Sequence, residues 1–323
     1  FGANSWDALR ALGKNNVVYS NLFKGQSSKI DEQLVTQYLA KEIALDLEVE
    51  YAEINVMDQL YQTSVDDPYN EYQWHYENIS LPSAWDIETG HEDVIVAIID
   101  SGISEHPDLT NKLTSDGYDF ISSPSNAGDG DGIDSVPTDP GGGRDNVQCP
   151  SDTRREISSF HGTHVAGTVS AETNNGRGVS GVSWNSKLMD LRVCGCGGCS
   201  RYDYQQALRY AAGLPNDSGT LPQVRADIVN MSLGGPGASL SVAETISEVR
   251  NAGLSVIAAS GNSGDGTINY PASYEGVVSV SATDLLDQRS SFSSFNSYVD
   301  VAAPGGDLGS DNNSDGYADG VLS

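Results

Sequence analysis

Three polar residues lie where their side chains could move a proton or stabilise a developing charge. Asp100 directly follows the apolar run 94–99, His161 begins the run 161–168, and Asn262 lies between Gly261 and Ser263 after another apolar run. A carboxylate can orient an imidazole, an imidazole can act as a general base, and an amide can donate to an oxyanion. Each residue alone also has a plainer interpretation, as a cap or turn former or as a structural histidine.

His161 and His164 are three residues apart, so on a helix they could instead chelate a metal ion. No acidic residue lies between them, and the helix pattern of the zinc proteases is therefore not matched. The pair alone does not decide between these interpretations.

The segments that would position these residues alternate between strands and helices from about residue 69. Apolar strands are predicted at 94–99, 186–193, 226–231, 254–259 and 277–282, and helices at 161–172, 201–214 and 242–252. Uninterrupted apolar runs are typical of strands buried on both faces of a parallel sheet. The pattern predicts an α/β fold with a doubly wound, mostly parallel sheet, whose active site lies at the carboxyl ends of the strands.

Five segments resemble, in the same order, the motifs of the subtilisin-like serine proteases, or subtilases. They are 96–102 with 106–109, 161–168, 230–234, 261–264 with 270–272, and 300–305. The resemblance covers about residues 69–306, and five ordered motifs do not agree by chance. The resemblance implies a subtilisin-like fold and a serine-type endopeptidase that uses an Asp-His-Ser triad.

The resemblance also implies a role for each matching residue. His161 is the general base, Asp100 orients it and stabilises its imidazolium, and Asn262 donates to the oxyanion. His164 is a structural histidine of the helix, and Pro271 occupies a position that is often cis. Substrate-binding residues are expected at Ser232, Leu233 and Gly234, which would pair with the substrate as an added strand, and at Ala259, Ser260 and Gly261.

The nucleophile of that triad is not found in the sequence. The family's Gly-Thr-Ser-Met-Ala motif should follow Pro304 and Gly305, and nothing like it occurs up to Ser323. Ser323 opens no helix and is not a candidate nucleophile. We expect residues 1–323 to be a truncated, inactive piece of an active enzyme; the alternative is a catalytically dead subtilase fold used for binding.

Residues 1–63 differ in character from the rest of the sequence. A helix is predicted at 33–47 and a strand at 49–56. Residues 47–53 resemble the last strand of a subtilase propeptide, which implies that 1–63 end an inhibitory propeptide and 64–323 form the peptidase domain. The resemblance implies a zymogen whose propeptide is inhibitor and chaperone, active as a monomer on protein or peptide substrates. The alternative is an ordinary N-terminal extension.

A candidate calcium loop lies near the end of the sequence. Oxygen-bearing side chains occupy its positions 1, 3, 5 and 9, and Gly316 is at position 6, where a calcium loop turns sharply. Position 12 is Leu322 instead of Glu, so the EF-hand pattern is incomplete, and a plain acidic turn is the alternative. The predicted ligands are Asp311, Asn313, Asp315 and Asp319. Weaker calcium candidates are the set Asp129, Asp131 and Asp134, and the pair Asp108 and Asn174, which resembles part of the family's structural calcium site.

Four cysteines occur, at 149, 194, 196 and 199. An even number in an acidic, glycine-rich chain favours disulfides and an oxidising compartment over a four-thiolate zinc site, which usually shows two Cys-x-x-Cys pairs. Of the three possible pairings we favour Cys149 with Cys196 and Cys194 with Cys199. A secreted, extracellular protein is therefore expected.

The net charge of −28 excludes partners that are themselves polyanions, namely nucleic acid and anionic membrane surfaces. It suits a soluble protein that works in salt or binds divalent cations, or it serves solubility alone. No glycine-rich phosphate loop joins the first strand to its helix, which argues against a nucleotide-binding domain.

Overall fold

The computed structural model describes residues 63–139 and 160–323. The predicted helix at 33–47, the predicted strand at 49–56, nearly all of the proposed propeptide remnant, and Cys149 lie outside these residues. Among the described residues, no helix has both the length and the apolar character needed to cross a membrane.

Eleven strands and six α-helices occur in the described residues, with a single 3₁₀ turn at Asn70–Tyr72. The strands are β1 (Ile95–Asp100), β2 (Tyr118–Asp119), β3 (Lys187–Arg192), β4 (Cys194–Gly195), β5 (Gly198–Cys199), β6 (Ile228–Met231), β7 (Gly235–Pro236), β8 (Ser255–Ala259), β9 (Asn269–Tyr270), β10 (Val277–Thr283) and β11 (Val301–Pro304). The helices are α1 (Trp74–Asn78), α2 (Leu81–Trp85), α3 (Pro124–Ala127), α4 (His161–Ser170), α5 (Arg201–Ala211) and α6 (Leu240–Asn251).

Seven of the strands form one sheet in the order β11-β10-β8-β6-β1-β3-β2, and every pairing in it is parallel. This confirms the predicted α/β fold with a parallel sheet. Two antiparallel pairs, β4 with β5 and β7 with β9, lie outside the sheet. Since β1 lies between β3 and β6, the carboxyl end of β1 is near the middle of the sheet edge.

Strand β1 is buried at all six positions because helices cover both faces of the sheet. Its residues Ile95, Ala97 and Ile99 belong to a core cluster that includes residues of α5 and α6. The alternate residues Val96 and Ile98 belong to a second cluster with Ala166 of α4. The side-chain period of two therefore directs successive β1 residues into opposite layers, as in a doubly wound fold.

The helices end earlier than predicted, for local reasons. Helix α5 begins after Ser200, whose side chain accepts a hydrogen bond from the Asp203 amide, as an N-cap does. It ends at Ala211 because Gly213 adopts a φ of +71°, the left-handed conformation that terminates many helices. The short helix α3 lies between β2 and α4.

Candidate active site

The last residue of β1 and the first residue of α4 contact each other. His161 Nδ1 lies 2.8 Å from Oδ1 of Asp100, and the same oxygen accepts a hydrogen bond of 2.7 Å from the Ser101 amide. Asp100 is 1% exposed, whereas 49% of the His161 side chain is exposed. A proton on Nδ1 is thus held against the carboxylate, which leaves Nε2 of His161 free to accept one.

A short turn after β1 joins this strand to α4. The Gly162 amide donates to Oγ of Ser101 at 3.0 Å, and the Ser104 amide donates to Oγ1 of Thr163 at 2.9 Å. A Cβ at Gly162 would lie 2.4 Å from the carbonyl oxygen of Gly102. Only glycine allows this approach, so the turn sets the distance between Asp100 and His161.

A buried carboxyl on the neighbouring strand β3 also fixes the turn after β1. Asp190 of β3 accepts a hydrogen bond of 2.9 Å from the Ile103 amide through Oδ2, and its Oδ1 has no partner among the described residues. Burial raises the pKa of Asp190 well above its usual range. We did not predict this residue from the sequence. The available signal was a single acidic residue inside the strand predicted at 186–193.

Asp100 controls the proton affinity of His161. The hydrogen bond from Asp100 raises the pKa of His161 above its ordinary value, and the negative charge of Asp100 adds to that rise. Burial acts in the opposite direction and is outweighed. The imidazolium form is therefore stabilised when His161 takes up a proton.

Asp100, His161 and Asn262 line one cleft of about 600 Å³. Of the predicted substrate-binding residues, Ser232, Leu233, Gly234, Ala259 and Gly261 line this cleft. Ser260 is buried and lines an adjoining cavity of about 310 Å³. The sequence order places these residues far apart, and the parallel sheet brings them to one edge, as predicted.

Asn262 is exposed in a loop whose backbone is fixed on both sides. Gly261 has a φ of +114°, and a Cβ there would lie 2.2 Å from the side-chain nitrogen Nδ2 of Asn269. The Ser294 amide donates to the Gly261 carbonyl at 2.8 Å, and the Ser263 amide donates to the Ser294 hydroxyl at 3.1 Å. The amide of Asn262 is thus held at the cleft by a rigid backbone. Nearby, the Tyr270–Pro271 bond is cis, as the resemblance implies.

A disulfide-closed hairpin forms one wall of the cleft. Cys194 and Cys199 are joined by a disulfide, which confirms one of the two predicted pairings; the other involves Cys149 and stays a prediction. Both cysteines line the cleft together with Gly195. Asn126 holds the hairpin, because its carbonyl accepts from the Cys196 amide at 2.8 Å and its side chain donates to the Gly198 carbonyl at 3.1 Å. That this hairpin faces the cleft was not predicted.

His164 and Ser323 are not among the residues that line the cleft. His164 contacts the carbonyl oxygen of Val321 through Nε2 at 3.0 Å, and the Ser323 hydroxyl donates to the His164 carbonyl at 2.9 Å. These contacts fit a structural His164, and they place Ser323 away from His161.

In two of the predicted calcium candidates, acidic side chains contact other groups of the protein. Asp108 contacts Asn175 instead of Asn174, and its two oxygens accept hydrogens from the Asn175 side chain and the Val179 amide. The side chain of Asn174 instead accepts a hydrogen bond of 3.0 Å from the Asp66 amide. At the other candidate, Asp129 is bonded to the buried guanidinium of Arg192.

Asp131 and Asp134, the remaining members of that second candidate, lie close to each other. Repulsion from Asp134 raises the pKa of Asp131. The calcium role of Asp129, Asp131 and Asp134 stays a prediction. The third candidate is the loop at 311–319, which contains a buried carboxylate, Asp319.

Comparison with known proteins supports the match of these motifs. The model of the subtilase family matches residues 91–320. The chain is 38% identical over 273 residues to an extracellular basic protease of Dichelobacter nodosus, covering 81% of this chain and 45% of that protein. It is 34% identical over 242 residues to thermitase of Thermoactinomyces vulgaris, covering 74% and 72%.

An extracellular protease of Xanthomonas campestris pv. campestris is 34% identical over 312 residues, covering 93% of this chain and 53% of that protein. Among solved structures, a protease from Pseudoalteromonas arctica PAMC 21717 superposes with a TM-score of 0.70 at 37% identity, covering 81% of this chain and 80% of that one. The chain spans about half the length of the first two curated relatives.

Proposed function

Since this chain belongs to the subtilase family, we propose that its parent protein is a secreted serine endopeptidase that cleaves peptide bonds through an acyl-enzyme. One observation carries the proposal: the half-exposed imidazole of His161 lies 2.8 Å from the buried carboxylate of Asp100 in the cleft that Asn262 lines. Relatives named as proteases support the proteolytic function.

In the proposed reaction, Nε2 of His161 takes the proton of a serine hydroxyl as that oxygen attacks the scissile carbonyl carbon. Asp100 holds the resulting imidazolium, and the Asn262 amide donates to the oxyanion of the tetrahedral intermediate. His161 then gives its proton to the leaving amine. In the second half, His161 activates water, and the acid product leaves as the serine regains its proton.

The proposed reaction needs a serine from outside residues 1–323, because these residues contain no Gly-Thr-Ser-Met-Ala motif. We therefore expect residues 1–323 alone to be inactive. The alternative is a binding protein on a protease scaffold, and it predicts that the parent protein has no such serine.

The substrate is proposed to bind as an extended strand. Ser232, Leu233 and Gly234 border the cleft on one side, and the disulfide-closed hairpin of Cys194 and Cys199 borders it too. Backbone edges of this kind recognise a peptide main chain irrespective of its side chains, which suits an enzyme that cleaves proteins.

Residues 1–63 are proposed to be the end of an inhibitory propeptide that is removed in the secreted enzyme. The names of two relatives as extracellular proteases support secretion. N-terminal sequencing of the purified active enzyme should place the mature start near residue 64. A mature enzyme that retains residues 1–63 would contradict this proposal.

The parent protein, expressed from its full gene, should hydrolyse casein and lose that activity on treatment with a fluorophosphonate. A folded parent protein that does not hydrolyse casein or small peptide esters would favour the binding protein. Circular dichroism of the same sample checks that it is folded.

The pH dependence of kcat/KM should report the pKa of His161. Only the neutral imidazole can act as a base, so kcat/KM should rise with pH, with a midpoint above the ordinary value of about 6.5. The Asp100 hydrogen bond is the main cause of the raised pKa, so Asp100→Asn should move the midpoint to lower pH. An unchanged midpoint in that variant would show that another group sets it.

A further inference from the structure

We propose that the loop Asp311–Asp319 is a calcium site that fixes the chain segment 320–323 against helix α4. Its ligands are the side chains of Asp311, Asn313, Asp315 and Asp319 together with the carbonyl oxygen of Tyr317. Oxygen ligands from a single loop with one backbone carbonyl at position 7 are what calcium takes in loops of this kind. The proposal does not depend on the proposed proteolytic function.

The backbone of the loop already has the sharp turn that such a site requires. Gly316, at position 6, has a φ of +90°, which side chains rarely tolerate. The amides of Asp315 and Gly316 both point at the Asp311 carboxylate, at 3.2 Å each. The loop therefore curls around its first residue.

One oxygen of a buried carboxylate that lies against this loop lacks a partner, and this observation is independent of the loop's own turns. Asp319 is 3% exposed. Its Oδ2 accepts a hydrogen bond of 2.8 Å from the Asn312 amide, so the carboxylate lies against the first turn of the loop. Its Oδ1 has no hydrogen-bond partner among the described residues. Burying an unpaired carboxylate oxygen is costly unless a cation or donor compensates it, and a calcium ion in the loop supplies that charge.

No three acidic, histidine or cysteine side chains among the described residues form a compact metal site by themselves. Carboxylates alone therefore do not complete the proposed site. The amide oxygen of Asn313 and the carbonyl of Tyr317 are needed to complete it, and the ion would draw the exposed carboxylates of Asp311 and Asp315 toward Asp319. Ligands of this mixed kind favour calcium over a transition metal, which prefers nitrogen or sulfur.

The segment that follows the loop is bonded to α1 and to α4. The indole of Trp74 donates to the Gly320 carbonyl at 2.8 Å, and His164 contacts the Val321 carbonyl at 3.0 Å. The Asp307 amide donates to the Asp319 carbonyl at 3.0 Å, which ties the end of the loop back to its entrance. An ion at Asp319 would stiffen a connection that leads directly to the helix carrying His161.

Terbium, which replaces calcium in oxygen sites, provides a readout that needs no enzyme activity. The full-length protein is stripped with a chelator and titrated with terbium while tyrosine is excited. Tyr317 lies within the loop, and the Tyr72 ring is 6.5 Å from the Tyr317 ring, so energy transfer from tyrosine to the ion is expected. Excess calcium should remove the emission.

Asp311→Ala should weaken terbium and calcium binding at least tenfold, and the calcium-dependent rise in Tm should shrink with it. Asp93→Ala is the matched control, since the Asp93 carboxylate is exposed and pairs with His91 instead of a loop residue; it should leave both unchanged. Tyr317→Phe keeps the backbone carbonyl and should lower the emission while calcium affinity stays the same.

Equal emission and an equal calcium-dependent Tm in Asp311→Ala and in the unaltered protein would overturn the proposal, because the ion would then bind elsewhere. A folded protein with no tyrosine-sensitised emission would also overturn it, and the loop would be a plain acidic turn. If Asp311→Ala does not fold, the double variant Tyr72→Phe with Tyr317→Phe still decides, since emission that the loss of both rings leaves unchanged does not arise in this loop.

Discussion

His161→Ala in the full-length protein should lower kcat for a peptide substrate by about 10⁴–10⁶-fold, the range expected when the base of such a triad is lost. Without the imidazole, no group in the cleft can take the serine proton or return it to the leaving amine. Asp100→Asn should cost about 10⁴-fold, because the amide no longer holds the proton on Nδ1. The double variant should lose little more than His161→Ala alone, since the two residues act as a unit.

The same helix offers a matched control for that prediction. His164→Ala removes an imidazole three residues away whose Nε2 contacts the Val321 carbonyl and which does not line the cleft. It should change kcat less than tenfold. Comparable losses in His164→Ala and His161→Ala, with both proteins folded, would mean that histidine at 161 has no special role.

Asn262→Ala should lower kcat by about 10²–10³-fold with little change in KM. The amide is proposed to bind the oxyanion, whose charge exists in the transition state and not in the substrate, so substrate binding is spared. Stopped-assay kinetics on a chromogenic peptide separate the two constants. Asn251→Ala, at the exposed end of α6, is the control and should leave both constants unchanged.

A variant Asn262→Ala that raises KM and leaves kcat intact would contradict the oxyanion role. The residue would then bind substrate in its ground state. If Asn262 is only a turn former beside Gly261, the variant should instead lower Tm without a specific effect on kcat.

The sheet and its active edge could be predicted because their signals are local. Strand β1 is a continuous apolar run, and the residue that ends it, Asp100, is buried at the edge the fold class indicates. The order of the strands within the sheet is not a local property of the sequence. Placing β1 between β3 and β6 depends on which helices cover which face, and no single segment carries that information.

Other features of the site could not be predicted because they depend on contacts between distant segments. Asp190 meets the Ile103 amide across 87 positions, and the period of β3 alone does not reveal it. Asn126 holds the cleft hairpin through its contacts with the Cys196 and Gly198 backbone, and nothing in the sequence around Asn126 indicates that. Asn175 rather than Asn174 meets Asp108, and the side chain of Asn174 accepts a hydrogen bond from the Asp66 amide.

The triad is tested most directly by mapping where a fluorophosphonate reacts with the full-length protein. Mass spectrometry of the digested adduct should find a single modified serine within a Gly-Thr-Ser motif outside residues 1–323, and His161→Ala should abolish the labelling. Labelling of a folded parent protein at no serine, or labelling that persists unchanged in His161→Ala, would contradict the proposed Asp-His-Ser mechanism.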